Sequence, residues 1–296
     1  MIVRFIRLFL WLSSRLPLVA SRRLGRFLGR MLWWFGGGAR RVTEKNIALA
    51  FPELPVPERE RLARQSLQAT AELTVEMGFI WMRPWPVVRG YILEVRGDDA
   101  VREALATGRG VMVLGPHLGN WEVIGLHLAT LGKAVALYEP PHMQAFDSLI
   151  RTARQRSGST LVPTTARGLG RLVKALKQGG IAGILPDQVP PVVESGRNSE
   201  FMGLSCFTGT LSSKLLQRSG AVAFFGFAQR VDGGYHIHYL PAEPELYSED
   251  LQLSLKALNE GVENCLRYCP EQYQWEYKRF RERPRGPIDY YAKPSS

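Results

Sequence analysis

From Tyr91 onward the chain alternates short apolar runs with stretches of helical period, and this alternation restricts the fold more than any other feature. ILEV, GVMVL, AVALY, IAGIL and AVAFFGF are separated by residues 98–106, 120–131, 143–156, 168–177 and 209–218, all of which carry helix-like spacing. A continuous apolar run suits a strand buried on both faces, and a helix between two such runs suits a crossover between parallel neighbours. The pattern predicts an α/β fold, a sheet covered by helices. In VDGGYHIHYL an Asp-Gly-Gly turn leads into an alternating strand, so the mostly parallel sheet is expected to be mixed. Leu251, Leu255, Leu258, Val262 and Leu266 step by four, three, four and four, which marks a long helix packed on that sheet. The Asp pair at 98 and 99 is expected to cap the first of the crossover helices. Residues 40–82 read as helices interrupted at FPELPVP.

With 296 residues and 45% hydrophobic content, the chain can bury a full core as one large domain, which sets aside a disordered or fibrous reading. Its three cysteines, Cys206, Cys265 and Cys269, contain no CxxC pair and suggest a reducing compartment rather than a disulfide framework. The formal charge of +11 calls for an anionic partner. Where the charge sits narrows the choice: residues 1–43 hold nine arginines and no acid, interleaved with Phe5, Trp11, Phe27, Trp33 and Trp34. That is the pattern of a basic amphipathic segment at an anionic membrane surface. Arg15 and Pro17 break the best apolar run short of a spanning length, so insertion parallel to the surface is at least as well supported as crossing. The division expected is a membrane anchor over residues 1–38 and a single catalytic domain over 39–296. An ordinary amphipathic helix docked on the domain is the competing reading of the first segment.

The strongest local chemical signal is Val111-Met112-Val113-Leu114 followed by Gly115-Pro116-His117-Leu118-Gly119-Asn120-Trp121-Glu122, a strand, a Gly/Pro turn and a helix. The turn places His117 at the carboxyl end of a strand, where open α/β sheets bind ligands. Five residues inside one helix would separate His117 and Glu122 by roughly 140°, so the two are expected to meet only if His117 precedes the helix and Glu122 lies in its first turn. Glu122 is then expected to accept the proton on one imidazole nitrogen, leaving the other to act as general base. The spacing alone also fits a satisfied histidine in a strand-to-helix loop.

The surrounding blocks carry a resemblance. GPHLGNWE, Arg154-Gln155-Arg156-Ser157-Gly158, Leu185-Pro186-Asp187-Gln188, Phe201-Met202-Gly203 with Thr208 and Thr210, and Pro270-Glu271-Gln272-Tyr273-Gln274-Trp275 with Arg279-Phe280 occur in that order. From about residue 40 to 285 the chain resembles the lysophospholipid and glycerol-phosphate acyltransferase superfamily and, within it, the lipid A late (lauroyl or myristoyl) acyltransferases. The resemblance implies a bacterial inner-membrane enzyme facing the cytoplasm. It would move a chain of about laurate length from acyl carrier protein to a hydroxyacyl group of a lipid A precursor, with no redox or metal cofactor. Arg154 and Arg156 suit phosphate or oxyanion contacts, although a packed and a solvent-facing arginine would look the same. Asp187, just past IAGIL, lies at the edge of His117 if the strands are parallel and is expected to orient an arginine or the acceptor.

No G-x-S-x-G elbow, phosphate loop, complete G-x-G-x-x-G or H-E-x-x-H occurs. His236 and His238 share a strand face, but no carboxylate or cysteine spacing completes a metal site, so no metal is expected. Two other readings stay open: an acyltransferase with a glycerophospholipid or glycolipid acceptor, and a noncatalytic protein binding anionic lipid or nucleic acid. Nucleic acid is not the expected partner, because the basic charge collects in the apolar N-terminal segment.

Overall fold

The computed structural model describes residues 2–141, 144–281 and 289–292. In chain order the helices are α1 (Ile2–Arg15), α2 (Leu18–Phe35), α3 (Gly38–Ala50), α4 (Val56–Met82), α5 (Trp85–Arg89), α6 (Asp98–Ala106), α7 (Trp121–His127), α8 (Gln144–Gln155), α9 (Ala166–Lys177), α10 (Leu211–Ser219) and α11 (Leu251–Leu266). The strands are β1 (Ile92–Arg96), β2 (Val111–Leu114), β3 (Ala134–Tyr138), β4 (Thr160–Pro163), β5 (Ile181–Ile184), β6 (Gly196–Phe201), β7 (Leu204–Gly209), β8 (Val222–Val231) and β9 (Gly234–Pro241).

Seven strands form one sheet in the order β1-β9-β8-β2-β5-β3-β4, and β6 and β7 form a separate hairpin. β8, β2, β5, β3 and β4 run parallel, β9 returns antiparallel to β8, and β1 lies parallel to β9. The mixed, mostly parallel sheet flanked by helices is the α/β architecture the alternation predicts. β2 shows why its sequence is apolar throughout. Met112 and Leu114 face a core built with α3, α9, α10 and α11, while Val111 and Val113 face a second core built with α5, α6 and α7. A strand covered on both faces has no position for a polar side chain.

Several details differ from the sequence expectation. The Asp pair does not cap α6: Gly97 occupies the cap position at φ 80, and both aspartates lie in the first helical turn, where their charge favours the helix dipole. α7 is shorter than expected, with a 3-10 turn over Leu128–Thr130. Met143, expected to open α8, lies outside the described residues.

α1 and α2 pack on α4. Gly25 and Gly29 bring the α2 backbone against Glu72 and Gln68, so close that a Cβ at either glycine would collide with the α4 backbone. Leu10, Leu18 and Trp33 face inward, whereas Phe5, Trp11, Phe27, Leu32, Trp34 and Phe35 are exposed. Among the described residues no helix is long and apolar enough to cross a membrane.

Candidate active site

β2 and β5 are parallel neighbours in register, Leu114 opposite Ile184, so the segments that leave them emerge side by side at one edge of the sheet. One carries His117 and the other Asp187. Asp187 receives both donors of the histidine: the His117 amide donates to Oδ2 at 2.9 Å, and the ring Nδ1 lies 2.8 Å from Oδ1. The carboxylate is buried, with its side chain 2% exposed, and the imidazole is 12% exposed. Burial alone would push the Asp187 carboxyl up, but the charge and hydrogen bonds of His117 outweigh it and hold the group below its ordinary value. With Nδ1 committed to Asp187, Nε2 is the nitrogen left for a substrate proton. Trp121 packs edge-on against the ring at a centroid distance of 4.9 Å.

The pairing expected between His117 and Glu122 is not formed. Glu122 does lie in the first turn of α7, but its side chain, 2% exposed, is turned to Arg154 of α8 in a two-pronged ion pair at 2.5 and 2.9 Å. Burial works against the Arg154 charge, and Glu122 reverses that, so the guanidinium holds its proton more tightly than usual. The place expected for Glu122 belongs to Asp187, whose strand lies beside β2. The sequence reveals both strands but not that they are neighbours.

Arg156 stands past the end of α8, in a turn, and not on the helix with Arg154. Its Nε and Nη2 are buried with no hydrogen-bond partner among the described residues, as are the hydroxyls of Ser157 and Ser159. Burial lowers the Arg156 pKa to about 10, only partly offset by the nearby Glu122.

The loop from 115 to 120 is held from several sides. Gly119 has φ +63, and a Cβ there would collide with the carbonyl of Ala228, so the bend admits only glycine without rearrangement. Its amide donates to Gln272 O at 3.1 Å, and the Gln274 amide donates to His117 O at 3.1 Å. The Pro-Glu-Gln-Tyr-Gln-Trp block thus braces the His117 loop, a role that residue types alone do not reveal. Asn120, fully buried, caps α7 by accepting from the Val123 amide at 3.3 Å.

An apolar cavity lies between the sheet and α7, and Gly115 of the loop reaches it. Val113, Gly183 and Ala136 form its floor at one level of the register, and Ile124, Gly125 and Leu128 form its roof. Gly115, Glu122 and Arg154 also line it.

Elsewhere, His236 lies 3.5 Å from Glu94, and His238 pairs with Gln229 at 3.2 Å. The thiols of Cys265 and Cys269 are pushed up by burial and carry no reactive thiolate. Tyr273, Trp275 and Arg279 are buried, and Arg279 donates to Phe207 O, Thr208 Oγ1 and Asn259 Oδ1.

The sequence has known relatives. The chain is 29% identical to the lipid A biosynthesis lauroyltransferase of Escherichia coli (strain K12), over 94% of this chain and 90% of the relative. It is 28% identical to the palmitoleoyltransferase of the same organism, over 95% and 92%, and 27% identical to the myristoyltransferase, over 94% and 84%. The family model described as bacterial lipid A biosynthesis acyltransferase matches residues 1–282, so the match takes in the N-terminal helices as well as the five blocks. The chain is an acyltransferase and belongs to the bacterial lipid A biosynthesis acyltransferase family.

Proposed function

We propose that this enzyme moves a fatty acyl chain of about laurate length from acyl carrier protein to a hydroxyacyl group of a lipid A precursor, with His117 as general base. The observation that carries this reading is the Asp187-held imidazole at the sheet edge, packed against Trp121, which together with Gly115 lines an apolar cavity. The acceptor hydroxyl gives its proton to Nε2 as its oxygen attacks the thioester carbonyl; the tetrahedral oxyanion then collapses, the C–S bond breaks, and the carrier thiolate leaves with the proton from the imidazolium. The cavity suits the hydrocarbon chain, since it presents almost no polar side chain except at Glu122, Arg154 and Ser159.

Arg156 is the better placed of the two arginines for an incoming anion. Arg154 already shares its charge with Glu122, whereas the half-buried Arg156 has two guanidinium nitrogens, Nε and Nη2, without a partner among the described residues, and a phosphate or oxyanion would supply the missing acceptors. Glu122 in this reading shapes the site through Arg154.

Residues 1–38 act as the anchor of the 39–296 catalytic domain, at the cytoplasmic face of a bacterial inner membrane. Their exposed tryptophans and phenylalanines, set among arginines, favour an in-plane position on anionic lipid. The test is a transfer assay with acyl carrier protein thioesters of graded length and a lipid A precursor. Wild type should acylate the precursor and His117→Ala should not. Activity retained in His117→Ala removes the base; wild type active only on a glycerophospholipid or glycolipid replaces the acceptor.

A further inference from the structure

Two chains of charge run from α2 through α4 to the His117 loop, the first buried throughout and the second exposed at Arg26, and the mechanism just described uses neither. In the first, Arg22 of α2 donates from Nε to Glu76 Oε1 at 2.5 Å, and Glu76 Oε2 accepts from Asn120 Nδ2 at 2.8 Å. The Glu76 side chain is fully buried and Arg22 is 8% exposed. Arg22 also donates to the carbonyls of Val231 and Gly234, at the turn between β8 and β9. In the second chain, one helical turn along, Arg26 pairs with Glu72 at 2.9 Å, Glu72 lies 3.7 Å from Arg230, and Arg230 donates to Gly119 O at 2.8 Å. The two end on consecutive residues, 119 and 120, directly after the His117 segment.

Burying charges that apolar residues could replace is expensive for stability alone. What the two chains supply is direction: they fix the carbonyl of Gly119 and the side chain of Asn120, in the same loop whose Gly119 amide and His117 carbonyl are held by Gln272 and Gln274. We propose that Glu76, with Arg22 behind it and Asn120 in front, is a positioning residue for the His117 loop, and that turnover therefore depends on α2 being seated on α4. The inference rests on His117 being the base. It places no new group at the reacting atoms: α2 acts through Glu76, Glu76 through Asn120, and Asn120 through the first turn of α7 and the loop before it.

The contact can be exchanged without changing its shape. In Asn120→Asp two carboxylates face each other; in Glu76→Gln an amide must face either Arg22 or Asn120 with the wrong atom. In the double variant Glu76→Gln/Asn120→Asp, the glutamine oxygen accepts from Arg22, its NH2 donates to the new carboxylate, and the other carboxylate oxygen caps α7. The full-length protein is assayed in detergent micelles with lauroyl-acyl carrier protein and a lipid A precursor, so that membrane recruitment does not limit the rate. Each single variant should lose kcat on the order of tenfold to a hundredfold with the donor KM nearly unchanged, as for a reacting group displaced by about 1 Å. The exchange should restore most of the loss, and Arg22→Gln should resemble the singles. Single variants with wild-type kcat, a double variant no better than the worse single, or a loss appearing wholly in KM would overturn the proposal. A single variant too unstable to assay leaves the decision to the double variant measured against wild type. Activity retained in His117→Ala removes the base and this inference with it, an outcome distinct from a His117-dependent wild type with indifferent Glu76 and Asn120 variants, which overturns the positioning role alone.

Discussion

Asp187 serves one residue twice, through the amide and the ring of His117, so its replacement should disturb both the loop and the tautomer. Asp187→Asn offers an NH2 to one of those donors and is expected to lower kcat by about 10²–10⁴-fold, checked by single-turnover transfer on protein of unchanged circular dichroism. Glu122→Gln is expected to behave differently, because it strands the partly buried Arg154. Urea unfolding should show a loss on the order of 3 kcal/mol. A variant of wild-type stability but no turnover would return Glu122 to the chemistry. The position of His117 at the end of an apolar strand was legible in the sequence, because the run Val111–Leu114 and the Gly/Pro turn after it mark a strand that ends just before the histidine. Its partner was not: Asp187 lies 70 residues away, and only strand order brings it close. Arg156 was legible as a residue of the arginine block, but that its Nε and Nη2 lack a partner among the described residues is visible only once burial is known.

Among the elements, those with a strong period or a glycine-rich turn were legible. The β8–β9 hairpin follows from Asp-Gly-Gly, and α11 from its apolar stripe. β4 escaped because its apolar content is Leu161 and Val162 alone, between a Ser-Gly-Ser-Thr stretch and a proline. The β6–β7 hairpin escaped because its tight turn places Met202 at φ 51 beside Gly203 at φ 73, and methionine is not a residue that advertises a left-handed turn. The element pair with the most direct consequence is α7 over the sheet. A Cβ added to Gly125 meets nothing within 4 Å, so Gly125→Val should fill the cavity without displacing backbone. It is expected to shift the donor preference toward shorter chains, at about 0.8 kcal/mol or fourfold per methylene no longer accommodated. The kcat/KM ratio of a longer to a shorter thioester in wild type and variant measures it, and an unchanged ratio would place the chain elsewhere.

For the molecule as a whole, the anchor reading predicts that Phe27→Ser with Trp34→Ser weakens binding to anionic vesicles by at least about tenfold while leaving the melting temperature alone, because both side chains face outward. Co-sedimentation across a salt series would check it. Acid should unfold the protein in two windows. Burial lowers the pKa of His127 to about 4, against the ordinary 6.5; Asp98 opposes this, and Arg102 and Arg89 add to it. Between those values the unfolded chain binds the extra proton, so stability falls as pH drops from 6.5 toward 4, by about 3 kcal/mol at most from this residue. The Asp187 pKa is also held below its ordinary value, so the sign in acid is the same: its contribution is present above the ordinary carboxylate range and is lost as pH falls below it. Melting curves of wild type and His127→Gln over pH 4 to 7 should differ in slope in the upper window only. The bracing of the His117 loop by Gln272 and Gln274 bears finally on how the enzyme is made. A ribosome that has released residues 1–250 has already delivered His117, Asp187, Glu122 and both arginines, yet the strip that locks the loop is still inside the exit tunnel or not yet translated. Chains that stop short of Gln272 therefore carry His117, Asp187 and both arginines without the strip that braces the loop, and are expected to transfer no acyl chain.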